Sequence, residues 1–153
     1  MSDKQIITNN SINEIKKIIN LNIISIYYFV SKLIKLYLGK KISIILTSSS
    51  RAIVGDKGIS LYSISKNSMH SLAKSLAIEY GNLNVRANVI SLGLFRTELW
   101  NKLASNIKEK LIENTSIKRM GKIHELNSTI KYVSNCNYLN GCILNLDGGY
   151  GLN

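Results

Sequence analysis

The chain has 153 residues, 45% of them hydrophobic and 19% charged, which suits one globular core and excludes both a second core and a disordered segment. The formal charge of +11 raises nucleic acid or an anionic membrane surface as a partner, but Lys and Arg are scattered in pairs such as Lys16-Lys17 and Lys40-Lys41. With no run of five like charges and no nucleic-acid motif, a solvated surface is expected, with no nucleic acid and no membrane as partner.

Met1 to Asn13 is polar and lacks the apolar core of a signal peptide. Asn10-Ser11 followed by Glu14 reads as a capping box, and the spacing predicts a helix over 12–38 that stops at Gly39. Ile18 to Leu38 is apolar enough to raise a membrane span, but Asn20, Asn22, Lys32 and Lys35 interrupt it. A charge at the bilayer centre costs about 2.5 to 3.5 kcal/mol on insertion scales, so a long buried or interface helix is expected.

Lys41 to Thr47 is short, β-branched and almost wholly apolar, as a strand covered on both faces of a parallel sheet would be. It ends in Ser48, Ser49 and Ser50. Arg51 to Leu61 contains Gly55 and Gly58 and reads as a loop. Apolar residues at helical spacing (Ile64, Met69, Leu72, Leu76) predict a helix over 62–80, closed by Gly81-Asn82. A strand over 85–91, a loop at Gly93, and one or two short helices within 99–117 follow. A helix from about His124 to Ser134 then precedes a last strand over 141–146, which runs into Asp147-Gly148-Gly149. Strands alternating with helices require crossovers and hence a parallel sheet. No repeat, low-complexity linker or proline marks a second domain. Cys136 and Cys142 lack metal or redox spacing and are expected to be ordinary buried thiols in a reducing compartment, the cytoplasm.

Tyr62 and Lys66 stand four apart on a helix, one turn along the same face. A tyrosine hydroxyl is ordinarily a poor acid or base at neutral pH; a fixed ammonium beside it favours the phenolate and suits it to exchange a proton with a carbonyl or alcohol oxygen. Thirteen residues before Tyr62, Ser49 lies at the C-terminal end of a strand, where open α/β sheets bind ligands. Its hydroxyl is placed to donate to the same oxygen. Ser48 and Ser50 remain alternatives, which the spacing to Tyr62 disfavours.

From about Glu14 to the C-terminus the chain resembles the short-chain dehydrogenase/reductase family. The resemblance rests on IILTSSS (44–50), YSISK (62–66), SLAIEYGNLNVRANVISLGLFRTEL (75–99), RMGKIHEL (119–126) and NGCILNLDGGY (140–150), in order and in register. RMGKIHEL and LDGGY look most like the 3-oxoacyl-(acyl carrier protein) reductases and related sugar or alcohol dehydrogenases. The resemblance implies an α/β fold: a partial Rossmann-like, doubly wound parallel sheet, here the last three strands with helices on both faces. It implies NADP or NAD as cofactor and a small-molecule or acyl-carrier-linked carbonyl as substrate.

By the same resemblance Tyr62 is the general acid/base, Ser49 orients the substrate oxygen, and Lys66 favours the phenolate and holds the nicotinamide ribose. Asn22 matches the asparagine that holds a water in the proton relay; Asn20 is the less fitting register because the expected small residue, Ser25, counts from Asn22. Gly93, Phe95 and Thr97 fall in the loop that touches the nicotinamide end of the cofactor. Helices 12–38 and 62–80 are those that pair between subunits in relatives, so a homo-oligomer is implied.

Two departures stand out. Leu92-Gly93 replaces the family's Pro-Gly, which removes a fixed φ from that loop. The glycine-rich turn, the ribose-selecting residue and the Asn-Ala-Gly strand end are not found; they would occupy three crossover units of about 30 residues each, expected before Met1. The ending at Gly148-Gly149-Tyr150-Gly151 is no substitute, since no helix follows to face a pyrophosphate. The contrasting expectation is a non-catalytic remnant or oligomerising module. His70 is expected to be an interface or core histidine, His124 exposed, and Trp100 a core or interface residue.

Overall fold

The computed structural model describes residues 6–152. Three parallel strands, β1 (Ile42–Ser49), β2 (Val85–Leu92) and β3 (Ile143–Leu146), form one sheet in the order β1-β2-β3. Ile42 pairs with Val85 and Ser49 with Leu92, while Val89 pairs with Ile143 and Leu146 with Leu92. Each strand runs one to two residues beyond or short of its expected bounds, and the alternation of strand and helix is as expected.

β2 is central, and Val85 through Ser91 are all buried, so both faces of the sheet are covered. One face carries Ile44, Leu46, Val85, Ala87 and Val89 against Val30, Ile34, Met69, Ala73 and Leu76 of the helices below. The other face carries Arg86 and Asn88. The buried Arg86 guanidinium donates to the carbonyls of Val133 (3.2 Å) and Ser134 (2.7 Å) at the end of α7 (Ile123–Asn135) and to Leu139 (2.9 Å) beyond it. A cation placed on orphan helix-end carbonyls offsets its own desolvation and fastens α7 to the sheet.

The first long helix begins as its sequence dictates. Ser11 and Glu14 form a reciprocal capping box, with Ser11 N donating to Glu14 Oε2 at 2.8 Å. α1 (Ile12–Ile19) and α2 (Ser25–Tyr37) are, however, separated by a π-helical turn, Asn20–Ile24. There Asn22 Nδ2 donates to Ile18 O at 3.2 Å and Ser25 Oγ to Leu21 O, supplying carbonyls where the regular ladder is interrupted.

Over Ile12–Tyr37 the mean hydropathy reaches 1.3, and by length and composition this stretch is sufficient to cross a membrane. Of the two expectations, a buried or an interface helix, the single chain does not show the buried one: only Val30 and Ile34 are buried, and Leu21, Ile24, Tyr28, Phe29 and Leu36 are exposed.

Residues 51–61, expected as a loop, begin with a short helix, α3 (Ser50–Val54), which Gly55 ends at φ 83. The first glycine of that stretch therefore caps a helix. α4 (Ser60–Tyr80) starts two residues before the expected Tyr62 and buries the stripe Ser65, Met69, Ala73 and Leu76. Asn84, in the left-handed region at φ 64, turns the chain into β2. α5 (Glu98–Asn101) and α6 (Ser105–Glu113) fill the segment expected to hold short helices. After β3 the chain folds back, Gly151 N donating to Asn114 O at 2.9 Å. Cys136 and Cys142 are free and half-buried rather than fully buried.

Candidate active site

A cleft of about 290 Å³ opens at the C-terminal ends of β1 and β2, the side on which open parallel sheets bind ligands. It gathers Ser49, Tyr62, Lys66, Gly93, Phe95 and Thr97, six of the seven residues singled out from the sequence. Asn22 is not among its lining residues; its side-chain Nδ2 donates to Ile18 O within its own helix. Asn20 is exposed, whereas Asn22 is half-buried.

Three consecutive hydroxyls end β1, and their partners separate them. Ser48 Oγ donates to Lys66 O at 3.1 Å and is hydrogen-bonded to His70 Nε2 at 2.8 Å. Ser50 Oγ donates to Leu92 O at 3.2 Å. Strand alternation turns Ser49 away from both, and among the described residues its side chain has no hydrogen-bond partner. The sequence left three candidates; the geometry leaves one hydroxyl free at the cleft.

On α4, Tyr62 and Lys66 line the cleft one turn apart, Tyr62 at 37% exposure. Among the described residues neither the phenol hydroxyl nor the ammonium has a hydrogen-bond partner. Lys66 is half-buried, and burial pushes its pKa below the ordinary lysine value.

The loop after β2 is shaped by close backbone contacts. A Cβ on Gly93 would lie 2.5 Å from Asp147 Cα, and Gly93 N donates to Leu146 O at 3.0 Å. Glycine is therefore required there by the neighbouring strand's exit. Gly121 is required by the Phe95 ring, 2.5 Å from where its Cβ would stand, and Gly121 N donates to Leu94 O at 2.8 Å. Phe95 is thereby pinned at the rim. Thr97 is exposed, and its hydroxyl accepts from Trp100 N at 3.2 Å at the start of α5.

The far wall was not legible as part of a site. Trp100, Leu103 and Leu111, from α5, α6 and their link, close the cleft with apolar surface, and Arg51, ion-paired with Asp56, lies at its edge. The only signal was apolar residues recurring through a segment whose packing its sequence does not state. His124 is exposed, as expected. Among the described residues no cluster of three His, Cys, Asp or Glu side chains forms a metal site.

The family model described as Enoyl-(Acyl carrier protein) reductase matches residues 1–151. A 3-oxoacyl-(acyl carrier protein) reductase of Buchnera aphidicola is 28% identical over 97% of this chain, and carbonyl reductase family member 4 of Xenopus laevis is 33% identical over 66% of it. The chain spans 62% and 43% of the lengths of these two relatives.

Among solved structures, a 4-hydroxyisoleucine dehydrogenase mutant complexed with NADH and succinate superposes with a TM-score of 0.89 at 25% identity, over 100% of this chain and 65% of its own. A short-chain dehydrogenase/reductase of Serratia marcescens shares the fold, with a TM-score of 0.87 at 22% identity over 99% of this chain and 62% of its own. Matched along almost its whole length, the chain belongs to the short-chain dehydrogenase/reductase family.

Proposed function

We propose that the chain serves NAD(P)-dependent transfer of a hydride between a nicotinamide cofactor and a carbonyl/alcohol pair, with a substrate like that of the 3-oxoacyl-(acyl carrier protein) reductases. The single observation that carries this is the convergence of three side chains on one cleft, Ser49, Tyr62 and Lys66, none with a hydrogen-bond partner among the described residues, while Ser48 and Ser50 are engaged elsewhere.

The residues fit one end of the cofactor. The half-buried Lys66 ammonium and the cleft beside Phe95 and Thr97 suit a ribose and a flat nicotinamide ring. When bound, the cofactor supplies or takes the hydride. Ser49 donates to the substrate oxygen and holds it. In the reductive direction Tyr62 gives its hydroxyl proton to that oxygen, and in the oxidative direction it takes the proton back. Lys66 offsets the charge left on Tyr62 and donates to the ribose. Trp100, Leu103 and Leu111 exclude water from the reacting centre. Asn22 holds a water in the proton relay, the role carried over from the family; it sits in the π turn at Asn20–Ile24, and such turns recur at functional sites.

The test is turnover of an acetoacetyl thioester with NADPH or NADH. Tyr62→Phe is expected to cut the rate by about 10²-fold or more, and Ser49→Ala to fall well below Ser50→Ala. Full activity in Tyr62→Phe would overturn the reading.

The same reading extends to assembly: α1–α2 and α4 pair with their copies in a homo-oligomer. Exposed Tyr27, Tyr28 and Phe29 on one helix and Ile78 on the other support it, as does their groove beside Ser75 and Glu79. These open faces also favour a second reading, an oligomerising module without catalysis, which the turnover assay separates from the first.

A further inference from the structure

We propose that His70, acting through Ser48, is a positioning residue that fixes the turn of α4 carrying Lys66 against the end of β1. The inference rests on the reading of Ser49 and Lys66 as site residues and adds a residue to it.

Ser48 is almost fully buried, at 3% exposure, and its hydroxyl has one proton to give. With that proton given to Lys66 O at 3.1 Å, the contact of 2.8 Å with His70 Nε2 is assigned from the imidazole N–H to Ser48 Oγ. The assignment places the ring proton on Nε2. Burial, and then the charge of Lys74 one turn on, hold the pKa of His70 below its ordinary value, so the ring is neutral at pH 7.

The chain of donors runs His70, Ser48, Lys66 O, and it ties strand to helix at the two places that matter. Ser48 directly precedes Ser49, and the carbonyl it grips belongs to Lys66 itself. The apolar core that both elements share includes Ile44 and Leu46 of β1 and Met69 and Ala73 of α4, and such packing resists sliding less sharply than a directed bond. His70 thus sets the height of Lys66 above the strand end.

The experiment uses the whole chain, its lysines reductively methylated with carbon-13, and follows the Lys66 amine by NMR titration; Lys66→Arg assigns the signal. His70→Leu removes the donor at similar volume, His70→Gln keeps an N–H near the Nε2 position, and Ser48→Ala removes the relay. His70→Leu is expected to move the Lys66 midpoint up by about 0.5 pH or more toward the ordinary value, as the amine gains solvent, with circular dichroism unchanged. His70→Gln is expected to restore the wild-type midpoint.

An unchanged midpoint in a folded His70→Leu chain overturns the proposal, and so does a His70→Gln midpoint equal to that of His70→Leu. If Ser48→Ala does not fold, the two His70 variants still decide. A moved midpoint in a chain that turns over no carbonyl keeps the clamp and removes the reductase reading.

Discussion

At the scale of single residues, the site is decided by which polar groups are already engaged. Ser48, Ser49 and Ser50 are indistinguishable by residue type, and the sequence ranked them only by spacing. Partners reached through the fold, Lys66 O and Leu92 O, take two of them. Those partners lie 18 and 42 residues away in the chain, which is why the sequence could not separate the three. His70 was read as a core or interface histidine; the bond to Ser48 that gives it a task depends on β1 packing against α4.

Its ionisation gives a stability prediction. The fold favours neutral His70, so the unfolded chain binds the proton first as pH falls. The stabilisation is fully present above the unfolded value of 6.5 and is lost as pH drops below it toward the lower folded value. Chemical denaturation from pH 7.5 to 5 is expected to show wild type losing more stability than His70→Gln, and an equal loss would contradict it. Gly93→Ala tests a different residue-scale claim. Its Cβ meets Asp147 backbone rather than a flexible side-chain tip, so a loss of about 1 to 3 kcal/mol is expected in thermal melts.

The elements were legible where burial is two-sided and periodic, and illegible where geometry departs from a period. β2 reads as an apolar run and is one, yet its interruptions Arg86 and Asn88 are what fasten α7 and the 136–142 link to the sheet. The π turn carries no signature in apolar spacing, because one extra residue in a turn only shifts the stripe. α3 was masked by the two glycines that follow it.

Ser91 offers a clean test of the β2 environment. It is fully buried, and among the described residues its hydroxyl has no partner. Ser91→Ala is therefore expected to raise stability by about 1 kcal/mol, measured by urea unfolding. A loss of that size would show that the hydroxyl is bonded in solution.

At the scale of the whole molecule, order and alternation of elements were enough for a parallel α/β sheet, because a strand-helix-strand chain has few other ways to close. The sequence left the long apolar helix as either buried or at an interface. β1 pairs only with β2 among the described residues, and the long apolar helix leaves most of its surface exposed. Exposed apolar area on this scale calls for a covering partner. Under the homo-oligomer proposal, Ile78→Glu, on the open face of α4, is expected to shift the chain toward monomer in sedimentation velocity; an unchanged distribution would contradict the α4 pairing.

The most direct measurement is titration of the purified chain with NADH and with NADPH, following nicotinamide fluorescence and thermal stability together, beside Lys66→Ala. Saturable binding that raises the melting temperature and is weakened in Lys66→Ala is the expected result. A folded chain that binds neither nucleotide would contradict a hydride-transfer site built on Ser49, Tyr62 and Lys66.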